Sequence, residues 1–418
     1  MRKEEIYRYN FFYGVFEIVF FIIAITFVDP STILPLFATL ISGSPIFIGI
    51  ITTLFNGGTL FPQIFFYRYV ERRERKKALF IKLALFRSST WAIMGISLLL
   101  FPGNHLLLKY ALLFVVSAFA LLISIEDIVW ADLISKIVDP KKRGSFIGMG
   151  SFLGNIFAIG IGFFVKWLLS DKSPFKFPFN FSFIFFLTSF FFFISVFSFW
   201  FVKVADDKIY EKEQVFSPFN EVIHLLKTNL NFSRYILVNF ISNAFLMSLP
   251  FFLLYGMKIF SLPGKEVGLF IVSQNVGRAL FTYFFGLMGD KMGHKSVLVL
   301  SNLLALSILG VVLFAHKISI WFPVKYVFYV IFLLSGAVLS GKFIGSVNYL
   351  LAIAPKGKVP AFRGISNSLI SVSLLIFPSA GGFILKYLSY KTLFILTVFF
   401  LFISTFFSFT LKRDREVL

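Results

Sequence analysis

Gly286-Leu287-Met288-Gly289-Asp290-Lys291-Met292-Gly293-His294-Lys295 is a short polar stretch between two long apolar runs. Its spacing is G-x-x-x-D-[R/K]-x-G-x-[R/K]. Each residue type has a reason if a chain leaves one membrane helix here and re-enters the next. Glycines permit a tight reversal because they lack a Cβ. An aspartate caps or pairs near a helix end, and the cations stay with the lipid headgroups. The stretch therefore predicts a polar turn joining two membrane helices, provided that its flanks are long enough to span.

The flanks are long enough. Of the 418 residues, 58% are hydrophobic and only 14% are charged, against about 25% charged in a typical soluble domain. Charge-free runs recur at 177–202, 235–257, 296–316, 364–385 and 392–411; a helix needs roughly 20 such residues to cross the hydrocarbon. Working outward gives spans near 11–39, 44–66, 78–101, 106–131, 145–168, 178–202, 233–257, 265–288, 296–315, 326–352, 364–385 and 392–411. Twelve helices place both termini on one side.

Charge decides which side. The net charge of +20 would suggest nucleic acid in a soluble protein. With flanking residues assigned to their loops, 27 of the 40 Lys and Arg lie on the side of the termini, 10 lie opposite, and Arg87, Arg278 and Lys342 lie inside spans. The basic excess is thus an orientation signal. It predicts a multi-pass protein of the cell (inner) membrane with cytoplasmic termini, whose partner is the lipid bilayer and not nucleic acid. Arg2, Lys3 and Arg8 precede an apolar run, but no small-residue cleavage pattern follows, so the first helix is expected to be retained. With no cysteine there is no disulfide or thiolate metal site. His105, His224, His294 and His316 are scattered in or near loops, which argues against a metal centre, and no cofactor is expected. The 63 phenylalanines read as compositional bias.

The 286–295 pattern resembles the cytoplasmic loop signature of the major facilitator superfamily of transporters, found between the second and third helices of each six-helix half. It differs only at His294, where the family usually has arginine. A weaker copy follows the second span, in Tyr67-Arg68-Tyr69-Val70-Glu71-Arg72-Arg73-Glu74-Arg75-Lys76-Lys77. Glu71 stands for the aspartate, Arg72 for the arginine, and Arg75 with Lys76 for the basic tail. By this resemblance Glu71, Arg72, Gly286, Asp290, Lys291, Gly293 and Lys295 form the gating loops.

Glu71 and Asp290 are 219 residues apart. Arg143-Gly144 and Arg363-Gly364, which open the fifth and eleventh spans, are 220 apart, and in that register Gly162 meets Gly382 and Lys166 meets Lys386. Two landmarks with nearly one offset argue for duplication of a six-helix unit. The expected fold is an all-α integral membrane protein of two pseudo-symmetric six-helix bundles, 1–203 and 232–418, with 204–231 as a cytoplasmic connector. Gly148, Gly150, Gly154, Gly160 and Gly162 in the fifth span, and Pro378, Gly381 and Gly382 in the eleventh, mark expected close crossings.

Ionisable groups inside spans carry the functional reading, since each costs about 2.5–3.5 kcal/mol at mid-membrane on insertion scales and needs a partner or a wet cavity. Arg87 in the third span and Glu126 with Asp127 in the fourth lie at matching depths, so an ion pair is expected. Two adjacent carboxylates cannot both face one arginine, and the second is left to bind a proton; the pair is either structural or proton-coupling. Glu17 is isolated in the first span, which lines the central cavity by the resemblance. It reads as a substrate or proton contact, or as a structural partner to a basic residue. Asp29 reads as the cap of a kink. In the second half, Asn239 and Asn243 share one helix face, as do Gln274 and Arg278. With mid-span Lys342 they suit an anionic or zwitterionic solute, or else the amides are inter-helix glue. No acid in the second-half spans can pair with Arg278 or Lys342.

These readings predict a non-enzymatic, monomeric secondary transporter for a small solute, working by alternating access with protons as the expected coupling partner. Without a Walker motif ATP is not the energy source. Two alternatives stay open: efflux of amphipathic compounds, and a non-transporting receptor on a transporter scaffold.

Overall fold

The computed structural model describes residues 3–71, 73–138, 143–204, 218–354 and 359–412, and among them every regular element is a helix. The first pass is α1 (Lys3–Thr26) continued by α2 (Ile33–Ser42), and the second is α3 (Pro45–Asn56) continued by α4 (Gln63–Glu71). Single helices follow: α5 (Lys76–Leu100), α6 (His105–Ile137), α7 (Arg143–Leu168) and α8 (Phe179–Trp200). After α9 (Pro218–Thr228), the seventh pass is α10 (Leu230–Ser242) with α11 (Phe245–Phe260), and α12 (Glu266–Met292) is the eighth. Then come α13 (His294–Leu313), the short α14 (Ala315–Ile318), α15 (Val324–Ile353), α16 (Val359–Tyr387) and α17 (Tyr390–Phe409).

Ten helical stretches among the described residues are long and apolar enough to cross a membrane. The other two passes escape that test for visible reasons. The second is interrupted at 57–62, and α12 carries Gln274, Asn275 and Arg278 along its length. Twelve passes result among the described residues, as expected from the apolar runs. Side-chain caps set several starts: Asn104 accepts from Leu107 N at 3.0 Å, Asn229 from Phe232 N at 3.0 Å, and Ser389 from Thr392 N at 3.2 Å. Each satisfies an amide that a helix N-terminus leaves orphaned.

The 286–295 stretch is less of a turn than its composition suggests. Helix α12 runs through Gly286, Asp290 and Lys291 to Met292, and α13 begins at His294. Gly293 alone makes the reversal, with φ 87° and ψ 153°, a conformation that L side chains rarely adopt. Charged residues end a membrane helix only in hydrocarbon. Where it emerges among headgroups, the backbone continues helical until a residue permits the turn.

Phenylalanine fills the first bundle. Trp91 stacks on Phe185 with centroids 5.6 Å apart and meets Phe119 edge-on at 5.4 Å. Phe37 packs against Phe181 and Phe185, both at 5.0 Å.

The duplication reappears as repeated fastenings. Lys77, at the start of α5, donates to the carbonyls of Trp200, the last residue of α8, and of Val202 just past it, both at 2.7 Å. Lys295, at the start of α13, donates to the carbonyls of Phe409, the last residue of α17, and of Leu411 just past it, at 2.8 and 2.6 Å. Each ammonium satisfies carbonyls at a helix C-terminus, where the dipole also favours it. Asn10 accepts from Lys203 N at 2.8 Å, and Asn231 from Lys412 N at 3.0 Å. Ser195 donates to Glu17 O at 3.1 Å, and Ser404 to Val238 O at 2.9 Å. Each half is thus tied first helix to last, and third to last, by matched residues.

Two of the crossings between the halves are also copies of each other. In one, a Cβ on Gly162 of α7 would lie 2.7 Å from Gly268 O of α12, and one on Gly268 only 2.3 Å from Gly162 O. In the other, a Cβ on Gly49 of α3 would lie 2.6 Å from Pro378 O of α16, and one on Gly382 2.4 Å from Pro45 O. Gly162 and Gly382, aligned by the repeat, therefore do the same job. Gly150 and Gly154 face Ile18 and Ile22 of α1, while Gly148 and Gly160 face open space. Both inter-half crossings lie near the ends of these helices that point away from the termini, so the halves are packed together at this face.

Candidate functional site

Four ionisable side chains gather inside the first half. Arg87 Nη1 lies 2.9 Å from Glu126 Oε1, with the two side chains only 1% and 5% exposed. The equal depth read from the sequence holds because each residue is eleven positions from the end of its helix on the terminal face. The guanidinium also lies over the rings of Phe192 at 4.4 Å and Phe21 at 5.0 Å, so aromatic faces take up part of its charge. Asp127, the next residue, turns to an exposed position while still within electrostatic reach of Arg87. Glu17 enters from α1: its Oε2 accepts from Trp130 Nε1 at 3.1 Å and its Oε1 from Ser195 Oγ at 3.4 Å. Among the described residues Glu17 therefore has hydrogen-bond partners rather than a direct ion pair, and it feels the charges of both Arg87 and Asp127. One cation thus contacts one carboxyl group and lies within electrostatic reach of two more.

The second-half residues divide into two sets. The first surrounds the break between α10 and α11. Pro250 has no N–H for the Leu246 carbonyl, and its ring crowds that carbonyl. At the break, the Leu246 amide bonds Asn243 O rather than continuing the α-helical ladder, which frees Ser242 O. Lys342 of α15 donates to that freed carbonyl, and its ammonium lies 5.5 Å from the Phe245 ring centroid. Among the described residues no carboxylate pairs with Lys342. Asn239 bonds Tyr235 O and accepts from Ser346, while Asn243 donates to Ser373 of α16 at 2.9 Å. The amides tie the seventh pass to its neighbours and set the walls around Lys342.

The second set, Gln274 and Arg278, faces the first half. Gln274 Nε2 donates to Ser31 Oγ at 3.0 Å, and Arg278 Nη2 lies 3.7 Å from Asp29 Oδ2. Asp29 does cap the unwound 27–32 stretch, accepting from Ser31 N at 2.8 Å and Thr32 Oγ1 at 3.1 Å. It is also the acid that Arg278 lacks in its own half. Sequence reasoning missed Asp29 as a site residue because it sought that partner within one half.

Of the gating-loop residues, Gly286, Asp290 and Lys291 ride on the last turns of α12, Gly293 turns, and Lys295 holds the end of α17. Glu71 ends α4, and Arg72 lies outside the described residues. Lys77, the counterpart of Lys295, was also missed. Its signal is a spacing of 218 residues, close to the repeat offset.

The Major Facilitator Superfamily model matches residues 236–417. No curated protein sequence matches the chain. Solved structures do match over their whole length. A mutant of the nucleoside transporter NupG superposes with a TM-score of 0.73 at 9% identity, covering 97% of this chain and 100% of that one. A bacterial homologue of the iron transporter ferroportin, in an inward-facing state, gives 0.66 at 18% identity, covering 97% and 98%. A bacterial homologue of the human lysosomal transporter Spinster, also inward-facing, gives 0.63 at 13% identity, covering 99% and 97%. By sequence, the second half is similar to the Major Facilitator Superfamily, and both halves share the fold of these solved transporters.

Proposed function

We propose that the protein is a secondary transporter that moves a small solute across the cytoplasmic membrane by alternating access, with proton coupling in the first half and solute recognition centred on Lys342. The observation that carries this reading is the placement of Lys342 against the broken seventh pass. Discontinuous membrane helices present unpaired backbone groups at mid-membrane, where transporters of this kind of architecture hold their cargo. An ammonium there, held by one carbonyl and one ring, keeps donors for an anionic or zwitterionic group. The basic excess on the terminal side supports cytoplasmic termini, so the face closed at the glycine crossings is the outer one and the state is inward-facing. Helix α9 falls within the connector that we place at 204–231, between bundles at 1–203 and 232–418.

The test is flux in liposomes with an imposed pH gradient, after a thermal-shift screen has found a ligand. Lys342→Ala is expected to abolish flux while elution and thermal stability stay as in the parent, because the side chain forms no ion pair among the described residues. Full activity would remove Lys342 from the site.

For coupling, Glu17, Glu126 and Asp127 around one arginine form a cluster within the first half that has more carboxyl groups than cations, and so a place to carry a proton. Glu17→Gln fixes that position in a neutral form. Gradient-driven accumulation is expected to fall to the level of passive exchange, with solute counterflow retained. Accumulation that keeps its pH profile would exclude Glu17 as the proton carrier.

A further inference from the structure

Arg278 and Asp29 belong to a ring of four residues that crosses between the halves. Asp29 and Ser31 come from the unwound stretch of the first pass, and Gln274 and Arg278 are one turn apart on α12. Ser31 joins the ring at two points, donating to Asp29 and bonding Gln274. The ring is not equally tight all round. Gln274 is 1% exposed, and Asp29 Oδ1 is filled by Ser31 N, Ser31 Oγ and Thr32 Oγ1. Arg278 keeps 30% of its side chain exposed, and its approach to Asp29 at 3.7 Å is longer than a hydrogen bond. A guanidinium carries five donors in a fork that fits a carboxylate or phosphate through two short bonds. Here that fork is aimed at an anion without closing on it.

We propose that Arg278 is an anion contact for the transported solute, and that Asp29 stands in for that anion while the outer face is closed. A carboxylate or phosphate that reaches the fork with better geometry displaces Asp29, and the displacement releases the first pass from α12. The direction follows from linkage. In the closed state the anion must compete with Asp29; once the halves have parted the fork is vacant, so the anion binds the open state more tightly and shifts the population towards it. This inference rests on the transporter reading.

The chain has no cysteine, so spin labels at Ser42→Cys and Lys265→Cys, one on each half at the closed face, report their separation without background. Asp29→Asn and Arg278→Gln are each expected to move the main distance peak outward, and the double variant no further than either. Ser31→Ala, which spares the charge pair, is expected to move it less. Succinate, citrate and inorganic phosphate, each against chloride at equal ionic strength, serve as probes. At least one is expected to lengthen the distance in the parent and not in Arg278→Gln. An unchanged distribution in Asp29→Asn would overturn the clasp. Silence from all three anions, or an equal response in Arg278→Gln, would overturn the anion contact. A distribution that no variant moves, Gly268→Ala included, would instead count against alternating access itself.

Discussion

Gly268→Ala is expected to abolish transport in a protein that still folds. The new Cβ would lie 2.3 Å from Gly162 O and from Lys166 N, both backbone atoms of α7. A flexible side chain yields at such a distance, but two helix backbones do not, so the crossing opens. Forcing extra atoms into a packed contact costs typically ~1–3 kcal/mol. Since about 1.4 kcal/mol is a factor of ten in an equilibrium, the closed outer face loses one to two orders of magnitude in population. Each half keeps its internal ties, so thermal stability in detergent should fall little. Gly160→Ala, on the same helix with nothing within 4 Å, is the control and should transport normally. Gly268→Ala with parental flux would show that the crossing does not close the pathway.

Arg87→Gln acts on stability instead. The guanidinium is the counter-charge that Glu126 touches, and both lie in the packed interior of the first bundle. Removing one partner of a buried ion pair typically costs ~3–5 kcal/mol, because the other charge is left without compensation. The variant is expected to melt well below the parent and to express poorly. Adding Glu126→Gln should restore much of the stability, since the orphaned charge goes with it. That double variant separates two roles for the pair. Recovered folding without gradient-driven transport means that the pair couples protons, and recovery of both means that it only holds α5 to α6.

The architecture was legible because lipid imposes a length on every apolar run. The fifth and eleventh spans could be aligned because Gly162 and Gly382 do one job twice. The buried Arg87–Glu126 pair was legible from depth alone, since helical rise converts sequence position into height. What stayed hidden lies across the halves. Ser31 and Gln274 are 243 residues apart, and nothing local in either stretch announces the other. The break in the seventh pass was hidden too: the disruptive residue is Pro250, while the interruption falls about two turns earlier, at Asn243 and Ala244. Gln274 and the asparagines were grouped with the cations by helix face. Their partners show that each face answers to a different neighbour.

Lys77 and Lys295 leave a mark on how such a molecule can be assembled. Each staples the last helix of its own half without reaching into the other, and neither staple depends on the peptide that joins them. Severed within 205–217, the polypeptide becomes two fragments that each retain a closed circuit and a glycine-faced seam. Two identical fragments of this kind would present the same pair of seams to one another, so a homodimer of a shorter ancestor needs no surface that the fused descendant lacks.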